Sequence, residues 1–295
     1  MRKALFVYNP FAGQLQIKGY LWDILNIFSK ADLDLKVHAT TEKGDAFRFV
    51  RDQAKEADLV ICSGGDGTLN EVVNGMMCLK EEDRVAIGYI PAGTTNDYAS
   101  SLKLSKNMRS SAIIAVNGVD NAYDIGKIND GYFVYVAAFG LFSEVSYATD
   151  QQMKNLLGHF AYVIEGARSL STLKSYHLKI TADGREREGD YIYGMITNSL
   201  QVGGIYRMSE KDVKLDDGLL EVLLVRRPKK ISDLNAINNF IFNLEDGSDA
   251  VESFKTDHII IETDDEMDWA IDGEHGGSHQ RTEITAVNKA IRVIS

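Results

Sequence analysis

From residue 4 to residue 90, short apolar runs alternate with stretches of helical period. Residues 4–8, 33–39, 59–63 and 85–90 read as strands, and residues 20–29, 46–57 and 69–79 as amphipathic helices. A further helix is expected after Pro91-Ala92-Gly93. Strands that alternate with helices imply a parallel sheet covered on both faces. Beyond Asp124-Ile125-Gly126 the pattern changes. Residues 132–139, 175–182, 191–198, 219–225 and 258–263 read as strands with long connections, and helical periods remain only at 160–173 and 232–242. The chain is therefore expected to hold an α/β domain over residues 1–126 and a strand-rich domain over residues 127–287.

In open α/β sheets ligands bind beyond the carboxyl ends of the strands. Three of the expected strands run into turn-forming or glycine-rich segments, at residues 9–13, 64–68 and 91–97, which suggests a nucleotide pocket. The strongest is Ser63-Gly64-Gly65-Asp66-Gly67-Thr68-Leu69-Asn70-Glu71, in which a strand meets three glycines, an acid and a hydroxyl before a helix opens. Glycines let backbone N–H groups approach phosphate oxygens, and a helix N-terminus favours the negative charge. No lysine follows the last glycine, so this is not a Walker A loop, and the spacing does not match the dinucleotide fingerprint. Asp66 cannot help bind bare phosphate; it suits a Mg²⁺ ion or the reacting phosphoryl group. Read alone, it would be a helix cap in a tight turn. Pro91-Ala92-Gly93-Thr94-Thr95-Asn96-Asp97 adds another glycine, two hydroxyls, an amide and an acid, although by itself it would also pass for a helix cap. Asn9-Pro10-Phe11-Ala12-Gly13 is weaker still.

Composition narrows the class. The chain has 295 residues and a formal net charge of −11, which argues against bulk nucleic-acid binding. Its two cysteines, Cys62 and Cys78, lie in apolar surroundings and read as buried thiols of a reducing compartment. The apolar run near Met1 is too short for a signal peptide, and no stretch of about 18 apolar residues offers a membrane span. The expectation is a cytoplasmic protein that meets membranes only from the side.

Three segments then carry a resemblance by their order and spacing. Asn-Pro-x-Ala-Gly from Asn9, Gly-Gly-Asp-Gly-Thr-x-Asn-Glu-Val-Val-Asn-Gly from Gly64, and Pro-x-Gly-Thr-x-Asn-Asp from Pro91 resemble the diacylglycerol kinase catalytic-domain family in its soluble bacterial form, related to sphingosine and ceramide kinases. The resemblance extends through Asp124-Ile-Gly-Lys, Asn198, Asp216-Asp217-Gly218-Leu219-Leu220 and Asp272-Gly273-Glu274. It implies an α/β nucleotide-binding domain, rejoined by residues 288–295, and a β-sandwich domain for the lipid. By position it assigns ATP to Asn9, Pro10, Gly13, Thr40, Gly64, Gly65, Asp66, Gly67, Thr68, Asn70 and Thr94. It makes Glu274 the general base for the lipid hydroxyl, and sets Asp66, Asp97 and Asp124 around the catalytic Mg²⁺. It also implies a structural Mg²⁺ on the Asp217 side chain and the main-chain oxygens of Lys214 and Leu219, where the residues alone read as a hairpin turn.

The resulting expectation is an ATP- and Mg²⁺-dependent lipid kinase that makes a phospholipid such as phosphatidic acid. It would work transiently at the inner face of the cell membrane, on a lipid substrate at the membrane surface, with no nucleic-acid partner. An NAD kinase-like phosphotransferase shares the Gly-Gly-Asp-Gly-Thr loop, and a non-catalytic nucleotide- or lipid-binding regulator is the other alternative. Exposed edge strands of the second domain leave a homodimer open. The basic run Arg226-Arg227-Pro228-Lys229-Lys230 reads either as a membrane-facing patch or as a solvated strand-to-helix loop, with Pro228 starting the next helix. Asp264-Asp265-Glu266 and Asp268 read as a solvated turn.

Overall fold

Strand β1 (Arg2–Tyr8) places Ala4, Leu5, Phe6 and Val7 in the interior one after another, which a strand does only when both of its faces are covered. The computed structural model describes residues 1–140, 174–202, 206–207, 213–243 and 249–295. The chain divides into two units, Met1–Ile125 with Asn288–Ser295, and Gly126–Val287.

In the first unit β1 is followed by helix α1 (Ile17–Lys30), β2 (Leu33–Ala39), α2 (Asp45–Gln53), β3 (Leu59–Gly64), α3 (Asp66–Met77), β4 (Ala86–Pro91), the short α4 (Asp97–Ser101) and α5 (Met108–Asn117). The strands pair in parallel in the order β2-β1-β3-β4. The C-terminal residues add a fifth parallel strand, with Val293 opposite Ile87 and Ile294 opposite Gly88. Every residue of β3 and β4 is buried, whereas none of β2, at the edge, is. Phe6, Ile24, Phe28 and Ile61 belong to one core with Ala112 and Ala115 of α5. The helix expected over 46–57 ends as α-helix at Gln53 and closes in a 3-10 turn, Ala54–Glu56. Cys62 is buried, and burial pushes its thiol pKa up, but Cys78 is exposed, against the expectation of two buried thiols. It follows the last residue of α3, where the chain returns to solvent.

The second unit opens on the last residues of β5 (Asp120–Ile128), which pair with β6 (Gly131–Phe133). It continues with β7 (Val136–Gly140), β8 (Tyr176–Ala182), β9 (Arg185–Thr197), a small hairpin of β10 (Gln201–Val202) and β11 (Tyr206–Arg207), β12 (Leu220–Arg226), α6 (Ile231–Asn243), β13 (Val251–Thr256) and β14 (His258–Ile271). The final strand β15 (Glu274–Ile294) starts in this unit and ends in the first. Pairing is antiparallel throughout, and β9 and β14 share two short partners, β8 along one half and β7 along the other. Trp269 and Phe139 meet edge to face at 5.1 Å in its core.

Several expectations need correction. The single strand expected over 132–139 is two, because the amides of Val134, Tyr135 and Val136 all donate to the buried carboxylate of Asp272. Asp264, Asp265 and Glu266 are not a turn; they are exposed residues inside β14, where the register against β15 shifts between Glu262 and Met267. The helix after the basic run begins at Ile231 rather than at Pro228, capped by Asp233, whose carboxylate accepts the amides of Lys229 and Lys230. The helix expected over 160–173 lies outside the described residues.

Two stability tests follow. A Cβ on Gly75 would stand 2.7 Å from the Phe47 carbonyl oxygen and 3.2 Å from the Arg51 amide nitrogen. Alanine gains about 1 kcal/mol of helix propensity over glycine. The obstacle is main chain, which cannot rotate aside, so Gly75→Ala is expected to cost a net ~1–3 kcal/mol in urea unfolding. In β12, burial raises the Glu221 carboxyl from 4.5 to about 7, although Lys255, opposite it on β13, holds its ammonium 3.2 Å away. The folded chain thus binds this proton more tightly than the unfolded chain. The group costs nothing below about pH 4.5, and its cost grows as pH rises to about 7. Glu221→Gln should therefore raise stability by about 1–3 kcal/mol at pH 8 and by almost nothing at pH 4. The same increment at both pH values would overturn this reading.

Candidate functional site

Parallel strands send their carboxyl ends to one edge of a sheet, and in the first unit that edge carries three loops and Thr40. Main-chain hydrogen bonds extend the ladder past the strands: the Asn9 amide donates to Ser63 O, Thr40 to Tyr8 O and Ala92 to Gly64 O, at 2.9, 2.9 and 2.8 Å. The loops touch where side chains are missing. Gly13 sits at φ +50°, and a Cβ there would fall 1.9 Å from the Ala92 carbonyl oxygen. One on Gly93 would fall 2.5 Å from the Cα of Gly65. Asn9, Pro10, Gly13, Thr40, Gly64, Gly65, Asp66, Gly67, Thr68, Asn70 and Thr94 thus all lie on or next to this edge.

Helix α3 begins at Asp66, and its first bonded amide is that of Leu69, which donates to Gly65 O. A helix leaves its first N–H groups without a carbonyl one turn back, so the N-terminus of α3, which starts at Asp66, is a place for an anion. Asp66 lies in that same first turn, and its Oδ2 accepts the Asp97 amide at 3.1 Å. The start of α4 therefore meets the Asp66 carboxylate through its main chain, while the Asp97 side chain is buried. A carboxylate in the first turn of a helix suits a hard divalent cation that takes its remaining oxygens from water and a phosphate. Among the described residues no three His, Cys, Asp or Glu side chains group to hold a metal alone. Asp124 is fully buried, and its Oδ1 accepts the Asn288 side-chain amide at 2.9 Å and the Lys289 main-chain amide at 2.6 Å. These bonds fasten the returning last strand.

Two supporting residues escaped the sequence reading. Tyr89, buried in β4, donates its hydroxyl to Gly64 O at 3.2 Å, and burial, helped by the charge of Asp66, pushes its pKa well up so that it stays a donor. Glu71, one turn into α3, accepts the amides of Gly44 and Ala46 at 2.7 and 3.1 Å. That clamp fixes the start of α2 and the loop behind Thr40. Asn96, at φ +52°, accepts the Gly93 amide and donates to the Gly93 carbonyl, closing the third loop. A tyrosine in an apolar strand and a glutamate in a helix give no signal of such roles in the sequence.

In the second unit, Glu274 opens β15 directly after the Asp272-Gly273 turn and is half-buried. Asp272 is 3% exposed, and its three amide bonds of 2.7–3.0 Å fix that turn rigidly. Asp217 lies in the predicted cation turn, but its Oδ1 accepts the Leu219 amide at 3.1 Å and its Oδ2 faces the Lys255 ammonium at 3.4 Å. The lysine thus supplies positive charge beside Asp217, at the turn where the resemblance sets a cation on Asp217, Lys214 and Leu219. The buried Asn198 holds the same turn through Leu215 O at 3.4 Å. In the basic run, Arg226 pairs with Glu252 at 2.7 Å and stacks over Tyr191.

Residues 3–128 match the family model for the diacylglycerol kinase catalytic domain, and residues 135–295 match that for the YegS C-terminal NAD kinase beta sandwich-like domain. The chain is 31% identical over 279 residues to a diacylglycerol kinase of Bacillus subtilis, covering 94% of this chain and 91% of that one. With a diacylglycerol kinase of Staphylococcus epidermidis it shares 33% over 278 residues, or 94% and 87% of the two chains. A crystal structure of a diacylglycerol kinase from Bacillus anthracis superposes with a TM-score of 0.77 at 28% identity, covering 99% of this chain and 96% of that one. With an α/β first domain on a parallel sheet and a β-sandwich-like second domain, the chain belongs to the diacylglycerol kinase family.

Proposed function

We propose that the chain is a lipid kinase that transfers the terminal phosphoryl group of ATP to the hydroxyl of diacylglycerol, or of a close relative, giving phosphatidic acid or its analogue. The observation that carries this reading is the meeting of the glycine loops at one sheet edge, with the N-terminus of α3 beside them and the Asp66 carboxylate held by the Asp97 amide. The names of the bacterial relatives supply the acceptor class.

The amides of Gly67 and Thr68 bind phosphate oxygens in this reading, and Gly13, Gly65 and Gly93 keep Cβ atoms out of their way. Asp66 and Asp97 would hold Mg²⁺, whose charge would offset both the carboxylates and the phosphates. Thr40 and Thr94 bind the nucleotide through their hydroxyls. Glu274 takes the proton of the acceptor hydroxyl as its oxygen attacks the terminal phosphorus. The bond from that phosphorus to the bridging oxygen breaks, and ADP leaves. Asp272 holds Glu274 in position through the turn it fixes.

The deciding experiment is transfer of labelled phosphate from ATP with Mg²⁺ to dispersed lipids, with NAD as a control acceptor because the second domain is also NAD kinase-like. Label on diacylglycerol bears the reading out, and label on NAD alone overturns the acceptor. Glu274→Gln is expected to lower kcat by a factor on the order of 10²–10⁴ with ATP affinity unchanged, and near-normal turnover would remove it from this role. Asp66→Asn should raise the Mg²⁺ concentration for half-maximal rate at least about ten-fold. An unchanged Mg²⁺ requirement would place the metal elsewhere.

A further inference from the structure

Strand β9 changes partners along its length: residues 193–197 pair with β12, and residues 185–191 pair with β8. The first half of β9 therefore meets β13 through side chains. The Arg187 guanidinium lies over the Phe254 ring at 4.1 Å, and its Nε stands 3.3 Å from Glu252 Oε2. At the tip of the β8–β9 hairpin, Asp183 bonds the Thr256 hydroxyl at 2.8 Å, which holds Arg185 beside the same strand. Between these strands lies a cavity of about 410 Å³, bordered by Arg185, Arg187, Glu252 and Phe254 and by Phe240 of α6. That volume is within the range of about 300–1,000 Å³ usual for small-molecule sites.

Charge selects the occupant. Glu252 is the one acid lining the cavity, and it also pairs with Arg226 at 2.7 Å. Arg185 has no ion-pair partner among the described residues. Three guanidinium groups, on Arg185, Arg187 and Arg226, thus share one carboxylate and leave an excess of two positive charges. The acids that alternate with the arginines along β9 are engaged elsewhere: Glu186 pairs with Lys179, and Glu188 and Asp190 pair with His177. Arg187 Nη1 is buried without a hydrogen-bond partner, because a ring face attracts the charge but does not accept the in-plane N–H groups. Ring and carboxylate together fix the plane of this guanidinium, and a fixed fork recognises oxyanions. A carboxylate or a phosphodiester brings one negative charge. A phosphate monoester brings about −1.5 to −2 at pH 7 and three terminal oxygens, which matches the excess.

We propose that Arg185 and Arg187 form a binding site in the second unit for a phosphate monoester, separate from the glycine edge of the first. The phosphate arrives on a lipid headgroup or on a small free ester, with the phenyl walls against whatever carries it. This site does not depend on the reading of the nucleotide edge. The test is calorimetry with methyl phosphate at about pH 7.5, where the ester is mostly a dianion, on protein saturated with Mg²⁺ and an ATP analogue that cannot transfer its phosphate. One saturable site is expected, with dimethyl phosphate bound at least about ten-fold more weakly. Arg185→Gln, at an exposed position, should raise the Kd about ten-fold with Tm unchanged. Arg187→Lys, which keeps the charge and loses the fork, should do the same to the Kd. No binding, equal binding of the diester, or an Arg185→Gln form that binds like the parent overturns the proposal. Binding seen only without the nucleotide analogue also overturns it, since the anion then sits at the sheet edge. Dihexanoyl phosphatidic acid below its micellar concentration separates the sources. Binding at least about ten-fold tighter than methyl phosphate assigns the site to a lipid headgroup, and equal or weaker binding assigns it to a free ester.

Discussion

Gly93 has room for a hydrogen atom and nothing larger, because the Cα of Gly65 stands 2.5 Å from where its Cβ would be. The close approach follows from pairing β3 with β4: adjacent strands lie about 4.8 Å apart, and so do the loops that leave their carboxyl ends. Side chains at that contact would force the loops apart. They would pull the Asp97 amide away from Asp66 and tilt the first turn of α3 away from the edge. Main chain packed on main chain is what leaves a row of amides available to an anion.

The loops stay in place because polar groups under them are satisfied by main chain. Tyr89 bonds Gly64, Glu71 bonds Gly44 and Ala46, and Asn96 bonds both ends of Gly93. The second unit uses the same device, with one carboxylate, Asp272, taking three consecutive amides and so giving the turn before Glu274 a single geometry. Removing such a carboxylate costs more than the bonds it makes, since the buried amides it leaves each carry a desolvation penalty of about 1–3 kcal/mol. Positioning and stability are therefore the same property at these residues.

The legible part of the sequence was the part whose cause is local. Leu33–Ala39 was read with both its bounds, and each glycine loop was placed after its strand, because apolar runs and turn residues act over a few positions. Helix α5 went unread: its Met-Arg-Ser-Ser start has no strong stripe, and its one clear signal is Asn107, which caps the amides of Arg109 and Ser110. Strand β15, with two glycines and many polar residues, is held by partners rather than by its own pattern. The roles of Glu71 and Asp272 depend on residues up to 138 positions away, and no local rule reaches that far. Asp217 is a further case, since nothing near it in sequence announces Lys255.

An acidic protein that handles phosphate must create positive potential without spending many cations on it. The glycine edge does so with oriented amides and a helix N-terminus, which act over a few ångströms and leave the net charge of −11 untouched. Asp66, in the first turn of that helix, works against this potential. A carboxylate there lowers the affinity for a bare anion, so in the proposed reading its benefit appears only when a divalent cation arrives with the phosphate. The edge would then select the metal complex of the nucleotide over the free nucleotide.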